Sequence, residues 1–203
     1  MNENENKENT GKFYFIGNLL CLDFINTQIV ADGQSVDLLS NREDFTDWLT
    51  RAGVLAESEA RSFPAIEMEA LTEIRAFRAV LRDLAAAIAE EKAISVETIA
   101  EINRWLARRN LRLTLEKTET GYAKVSHSLW ADGLDALAPI AESAADLLAS
   151  GDLTLLRKCE NSQCVLYFYD TTKNHARRWC SMSGCGNRHK VGEYYKRKKA
   201  GAA

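Results

Sequence analysis

The sequence predicts a mainly helical α+β protein: an N-terminal helical domain with one small β-hairpin, followed by a small C-terminal module that carries four cysteines. Apolar residues recur at three- and four-residue spacing over four long stretches, which predicts amphipathic helices. Apolar and polar residues alternate on both sides of one short turn, which predicts the hairpin. Four of the five cysteines lie between Cys159 and Cys185. With 203 residues, of which 46% are hydrophobic, the chain can bury one sizeable core beside a small module.

The N-terminal part begins with a polar segment over residues 1–10, which we predict to be a disordered tail. The helical domain then spans residues 11–151. Its most apolar stretch, residues 13–27, contains three embedded polar side chains: Asp23, Asn26 and Thr27. Because buried polar groups must be hydrogen-bonded, these three either cap the neighbouring backbone or face a ligand cavity.

Helical periodicity extends over residues 40–53, 64–89, 95–109 and 132–149, and a short helix is predicted over 58–62. The longest helix carries an apolar stripe on one face: Met68, Leu71, Ile74, Phe77, Leu81, Leu84 and Ile88.

Two prolines and one glycine set the predicted boundaries. Pro64 suits the first turn of a helix, whereas Pro139 falls inside a helical pattern and predicts a kink or a break. Gly151 ends the last helix, so the C-terminal module is predicted over residues 152–203.

The hairpin is predicted from residues 111–116, LRLTLE, and residues 122–126, YAKVS, which alternate apolar and polar side chains.

Arg75, Arg78 and Arg82 are three and four residues apart and therefore share one helix face. They form either a solvated face paired with Glu73 and Asp83 or an anion-binding row across from the polar residues of 13–27. The predicted ligand site comprises five residues: Asp23, Asn26, Thr27, Arg75 and Arg78.

The four clustered cysteines form two pairs, Cys159 with Cys164 and Cys180 with Cys185. Four thiolates delivered in pairs can close a tetrahedron around one structural Zn²⁺, which would stabilise a module too small to fold alone. Two disulfides are the alternative, but they need an oxidising compartment, and the N-terminus does not resemble a secretory signal. No apolar run has the length of a membrane span. We therefore expect a cytoplasmic protein with no membrane partner; redox sensing by the cysteines remains open.

Charge is segregated along the chain, whose formal net charge is −3. From Cys159 to Ala203 there are nine Lys or Arg against three Asp or Glu, and the remainder is acidic. Four zinc-bound thiolates would lower the charge of this module from +6 to about +4. A basic module on an acidic body indicates a nucleic-acid partner.

Two basic segments of the module are candidates for nucleic-acid contact. The first is a helix predicted from Asp170 or Thr171 to Trp179, and the second is a helix that starts at Asn187. The candidate contacts are Lys173, Asn174, Arg177, Arg178, Arg188 and Lys190. Alternatively, Asn187 and Arg188 hold the zinc knuckle together through hydrogen bonds to backbone and thiolate.

No enzyme signature is present. The sequence lacks a dinucleotide-type glycine loop and a phosphate-binding loop. Three scattered histidines define no catalytic site, and four cysteines around zinc leave no open coordination position. We therefore expect a protein that is not an enzyme.

The module resembles the CGNR zinc finger over residues 159–197, through its four cysteines, Asp170, the RRWCSM run of residues 177–182 and the CGNR tetrad of residues 185–188. The LDFINT hexapeptide of residues 22–27 resembles the signature of the ABATE domain, which precedes such fingers. The resemblance implies a bacterial transcription regulator that binds DNA and whose N-terminal domain senses a small ligand or forms a homodimer. A zinc-stabilised protein-interaction module without a nucleic-acid role is the alternative.

Overall fold

A computed structural model describes residues 11–67 and 69–200; for Lys196, Lys199 and Ala200 only the backbone is described. The helices are α1 (Leu20–Ile25), α2 (Arg42–Arg51), α3 (Ala70–Ala89), α4 (Val96–Leu106), α5 (Leu137–Ser150) and α6 (Asn187–Ala200). The strands are β1 (Gln28–Ala31), β2 (Gln34–Asp37), β3 (Leu111–Thr118), β4 (Gly121–Ser128), β5 (Leu156–Lys158) and β6 (Tyr167–Tyr169). The predicted tail over residues 1–10 and the predicted stripe residue Met68 lie outside the described residues.

The fold class is confirmed: helices dominate, and the strands form three two-stranded antiparallel sheets, β1-β2, β3-β4 and β5-β6. The predicted hairpin is β3-β4, and its strands extend beyond the predicted residues 111–116 and 122–126. The other two were not predicted. In β1-β2 the turn is Asp32-Gly33, with φ of 51° and 78°, the left-handed geometry that matches a two-residue hairpin.

Helix α3 lies at the centre of the larger core, where it buries the described part of its predicted stripe. It begins at Ala70 rather than at Pro64, so the predicted start is wrong. Residues 64–67 lie outside any helix, and Ile66 packs in the core against Gly133. The short helix predicted over 58–62 is also wrong, because this segment forms consecutive hydrogen-bonded turns that do not extend into a helix. Pro64 disfavours helical conformation in the residue before it.

Local capping explains where α2 and α4 begin. Asn41 and Asp44 form a reciprocal capping box at the start of α2, and the Ser95 side chain caps α4. The break predicted near Pro139 is present, but it falls between a 3₁₀ turn at Gly133–Ala136 and the start of α5. Pro139 is the third residue of α5, where its missing N–H costs no helical hydrogen bond.

The N-terminal domain and the cysteine module share their cores. Leu156 and Tyr167 of the module are buried in the larger core, among residues of α1 to α5. Conversely, Ile16 is buried with the cysteines, Phe168 and Trp179 in the smaller core. The module is therefore packed against the domain rather than tethered to it. None of the described helices is long and apolar enough to cross a membrane.

Candidate metal centre and nucleic-acid interface

The four predicted zinc ligands converge on one point. The sulfurs of Cys159, Cys164, Cys180 and Cys185 all lie within 4.8 Å of one another. The Sγ atoms of Cys164 and Cys180 are 3.7 Å apart, and those of Cys180 and Cys185 are 3.5 Å apart. Tetrahedral Zn²⁺ with Zn–S bonds near 2.3 Å requires about 3.8 Å between sulfurs. A disulfide requires about 2.0 Å, so the pairs are not disulfides and the site fits one zinc ion.

Two short elements deliver the ligands in pairs. Cys159 and Cys164 lie in the connection between β5 and β6, where the Cys159 N–H donates to the carbonyl of Leu166 at 2.9 Å. Cys180 precedes a tight turn over Met182–Gly186, and Cys185 lies within that turn. We call this turn the knuckle.

Contacts among the thiols shift their pKa values in opposite directions. Hydrogen bonds from Cys164 and Cys180 lower the pKa of Cys159 to about 2. The hydrogen bond to Cys159 raises the pKa of Cys164 to about 12. Without a cation the cluster therefore resists full ionisation, because neighbouring thiolates repel one another. A bound Zn²⁺ removes this repulsion and holds all four as thiolates.

Further donors point at the sulfurs. The Cys180 N–H donates to the Cys159 sulfur at 3.4 Å, and the Arg188 guanidinium donates to the Cys185 sulfur at 3.4 Å. Asn187 donates to the carbonyl of Ser183 at 3.2 Å. The tetrad residues therefore hold the knuckle, as the alternative prediction for Asn187 and Arg188 stated.

The glycine of the tetrad is required for close packing. A Cβ atom at Gly186 would lie 2.8 Å from the Met182 sulfur and 3.2 Å from a Trp179 ring carbon. Trp179 in turn packs on the ring of His189, with centroids 4.6 Å apart.

The helix predicted from Asp170 to Trp179 is wrong. The buried Asp170 carboxylate accepts hydrogen bonds from the Thr172 N–H and hydroxyl and from the Arg177 N–H, which folds this segment into a loop. Burial raises the pKa of Asp170, but these hydrogen bonds outweigh that effect and hold the pKa below its usual range. His175 has φ of 46°, which an α-helix does not allow.

The two arginines of this segment have different surroundings. The Arg177 guanidinium donates to the carbonyls of Ile16, Trp179 and Cys180 and lies 4.3 Å from the centre of the Phe168 ring. It therefore ties the module to the N-terminal segment, which is a structural role rather than the predicted surface contact. Arg178 is 56% exposed and pairs with Glu160 at 2.6 Å. Lys173, Asn174 and Lys190 are exposed, and their contact with nucleic acid stays a prediction.

Helix α6 has an exposed surface on most sides. It packs on the knuckle and, within the described residues, makes no comparable contact with another helix or strand. Tyr194 and Tyr195 are 57% and 60% exposed, in contrast to the buried aromatic residues Tyr167, Phe168 and Trp179. The helix also carries six basic residues: Arg188, Lys190, Lys196, Arg197, Lys198 and Lys199.

Three residues of the predicted ligand site serve packing instead. The Asn26 side chain donates to the Tyr167 carbonyl at 2.8 Å and accepts from the Tyr167 N–H at 3.0 Å. Thr27 donates to the Phe24 carbonyl at 2.6 Å. Asp23 accepts from the Gly17 N–H at 2.7 Å, and burial raises its pKa to about 7. They satisfy the backbone, as the capping alternative stated.

The arginine row is partly buried and makes contacts within the protein. Arg78 is only 4% exposed and forms a two-pronged ion pair with Asp37, and Arg75 lies 3.1 Å from the same carboxylate. Arg82 donates to the carbonyls of Ile25 and Val165 at 2.8 and 3.0 Å. The predicted pairing with Glu73 and Asp83 is wrong, because the partners are Asp37 and backbone carbonyls. Binding of an anion by this row stays a prediction. Sequence reasoning missed Asp37, which ends the unpredicted strand β2.

A cavity of about 330 Å³ lies elsewhere, between the N-terminal domain and the knuckle. Tyr14, Ile16 and Ile29 line one side, and the other side includes Ser181, Arg188 and three of the zinc ligands, Cys164, Cys180 and Cys185. None of the five predicted ligand residues borders it.

A helical domain that shares its core with a four-thiolate zinc module defines a two-part zinc-finger protein. Residues 18–151 match the family model ABATE, described as "Putative stress-induced transcription regulator", and residues 156–198 match the CGNR zinc finger. Because the first match covers well over half of the chain, the protein belongs to the ABATE family. Both predicted resemblances are confirmed. A search among curated proteins found no match.

Proposed function

We propose that this protein is a cytoplasmic transcription regulator without enzymatic activity that binds DNA through α6 and the adjoining zinc module. The observation that carries the proposal is the exposed, basic surface of α6. A helix fits the major groove of B-DNA, and lysine and arginine side chains contact its phosphates. Lys190, Arg197 and Lys198 are exposed on this helix, and Arg178 and Lys173 are exposed on the preceding loop.

Zinc has a structural part in this proposal. With four thiolates as ligands, the ion has no open position for a substrate. Its role is to fix the knuckle from which α6 starts, and Gly186 and Arg188 reinforce that position.

Ligand sensing, if it accompanies DNA binding, belongs to the cavity between the N-terminal domain and the knuckle. A molecule bound there would contact both parts of the chain and would change the position of the knuckle, and hence of α6. The side chains of Tyr14, Ile16 and Ile29 favour a small molecule with an apolar portion, and the hydroxyl of Ser181 offers it a hydrogen bond.

The test is binding of the zinc-loaded protein to a pool of random DNA duplexes across a salt series. The variant Lys190→Ala/Arg197→Ala/Lys198→Ala removes three exposed charges of α6. We expect weaker binding and a shallower salt dependence, with the logarithmic slope reduced by roughly 2 to 3. The matched control, Arg42→Ala/Arg61→Ala/Lys92→Ala, removes three exposed charges from the N-terminal domain and should bind as the wild type does.

Equal binding by the α6 variant and the wild type would contradict the assigned surface. Absence of binding at low salt, with zinc stoichiometric and the fold intact, would overturn the DNA proposal. The exposed Val191, Tyr194 and Tyr195 would then favour the alternative, a zinc-stabilised module that binds another protein.

A further inference from the structure

The β3-β4 hairpin has an exposed apolar face. Leu113 and Leu115 are 58% and 74% exposed, and Leu111 and Tyr122 are exposed on the same face. The sheet has only two strands, so the outer edge of β3 has no strand partner within the described residues. An eight-residue edge strand with exposed leucines is a template for pairing with another chain.

We propose that β3 pairs with β3 of a second copy of this chain, in antiparallel orientation, about a two-fold axis at Thr114. The hairpins of the two copies then form one four-stranded sheet. This proposal does not rest on DNA binding, although a two-fold dimer would present two zinc modules to two half-sites.

The hydrogen-bonding pattern of the edge allows this register. The Leu129 N–H donates to the Asn110 carbonyl at 3.0 Å, next to the first strand pair, Leu111 with Ser128. Because bonded and non-bonded pairs alternate in an antiparallel ladder, the peptide groups of Leu113 and Leu115 point away from β4. In the proposed dimer, Leu113 of one copy exchanges both backbone hydrogen bonds with Leu115 of the other.

The charges select this register over its neighbours. The segment Leu111–Lys117 reads LRLTLEK, so a two-fold axis at Thr114 places Arg112 opposite Glu116 of the second copy, twice per dimer. A shift of the axis to Leu113 or Leu115 keeps the backbone pattern but places Arg112 or Glu116 opposite threonine. The edge of β4 is a poorer choice, because Gly121–Ser128 contains no acidic residue to face Lys124.

The test uses charge exchange in the zinc-loaded full chain, with sedimentation across a concentration series. Arg112→Glu alone places glutamate opposite glutamate at two positions in the dimer, and Glu116→Arg alone places arginine opposite arginine at the same two positions. Each variant should therefore raise the dimer dissociation constant at least roughly tenfold. An equimolar mixture of the two variants restores both ion pairs and should form a heterodimer of wild-type affinity. The double variant Arg112→Glu/Glu116→Arg should again form a homodimer.

The controls carry the same charge changes at other exposed positions of the hairpin. Glu119→Arg changes a residue of the turn, and Lys124→Glu changes a residue of β4. Both variant proteins should dimerise as the wild type does. A wild-type protein that stays monomeric throughout would overturn the proposal. So would a dimer that tolerates both single variants, or single variants that do not associate when mixed. DNA binding by a monomer would leave the proposed function standing while this inference fails.

Discussion

Asn26 pairs with the backbone of Tyr167 as a neighbouring strand would, donating to its carbonyl at 2.8 Å and accepting from its N–H at 3.0 Å. The contact is fully buried and joins the C-terminal end of α1 to β6, the first strand after the Cys164 ligand. The side-chain amide of Asn26, within the LDFINT hexapeptide, therefore connects the two parts of the protein.

The first prediction concerns this contact. Asn26→Ala leaves a buried N–H and a buried carbonyl of Tyr167 without partners, so the free energy of unfolding should fall by about 2–4 kcal/mol. Urea unfolding measures the change. The control Gln28→Ala removes only an exposed hydrogen bond to Ser35 and should cost less than about 0.5 kcal/mol. Equal effects of the two variants would contradict the role of Asn26.

The second prediction concerns Arg78, whose buried charge depends on Asp37. Asp37→Ala leaves that guanidinium without its carboxylate, and we expect a loss of about 3 kcal/mol in the free energy of unfolding. Asp47→Ala removes an exposed ion pair with Arg51 and should cost about 0.5 kcal/mol or less. Chemical unfolding of both variants decides whether the Asp37 pair is structural.

The third prediction compares two glycines of the module. Gly186→Ala forces a Cβ against Met182 and Trp179 and should destabilise the protein by about 1–3 kcal/mol. Gly192→Ala, in the middle of α6, meets no atom within 4 Å and should stabilise the helix by about 0.5–1 kcal/mol. The two thermal unfolding temperatures should therefore shift in opposite directions.

The fourth prediction concerns metal content. The wild type should bind one zinc ion per chain. The Cys180→Ser variant should bind no zinc, and its module should unfold, because three thiolates no longer close the site. Cys21→Ala, at the buried cysteine outside the cluster, should keep full zinc content. Elemental analysis of the purified variants would refute the assignment if Cys180→Ser retained stoichiometric zinc.

The fifth prediction concerns pH. Burial raises the pKa of Asp23 from 3.8 to about 7, so the folded state binds a proton that the unfolded state releases. The stabilisation by that proton is complete below the unfolded pKa and is lost as the pH rises through the folded pKa.

Asp23→Asn removes this titration. The stability of the wild type relative to the variant should therefore decline between about pH 4 and about pH 7, by on the order of 3 kcal/mol. Urea unfolding at several pH values measures the difference, and the cysteines cancel because both proteins contain them. A difference that is constant with pH would show that Asp23 does not titrate in this range.

Local signals predicted most helices and the zinc ligands. The helical periodicity of residues 40–53 and the spacing of the four cysteines are each contained in a short stretch of sequence, and the structure reproduces both. The Asp32-Gly33 turn of the β1-β2 hairpin was also available as a local signal, but its short, mostly exposed strands lack a clear alternation.

The rest depends on contacts between distant parts of the chain. Arg177 was expected on a DNA-facing helix, yet it donates to the carbonyl of Ile16, which is 161 residues away in sequence. Arg78 and Asp37 are 41 residues apart. A buried polar residue can be recognised from its apolar neighbours, but its partner cannot be chosen without the tertiary arrangement.

The long-range bonds of the N-terminal segment have a consequence for biosynthesis. Asn18 and Asn26 are made early, but their backbone partners on β6 follow 151 and 141 residues later. During translation this segment therefore keeps apolar side chains such as Ile16 exposed until β6 has left the ribosome. Its native contacts form only after Cys159 and Cys164 have been added, and chaperones can bind it before that point.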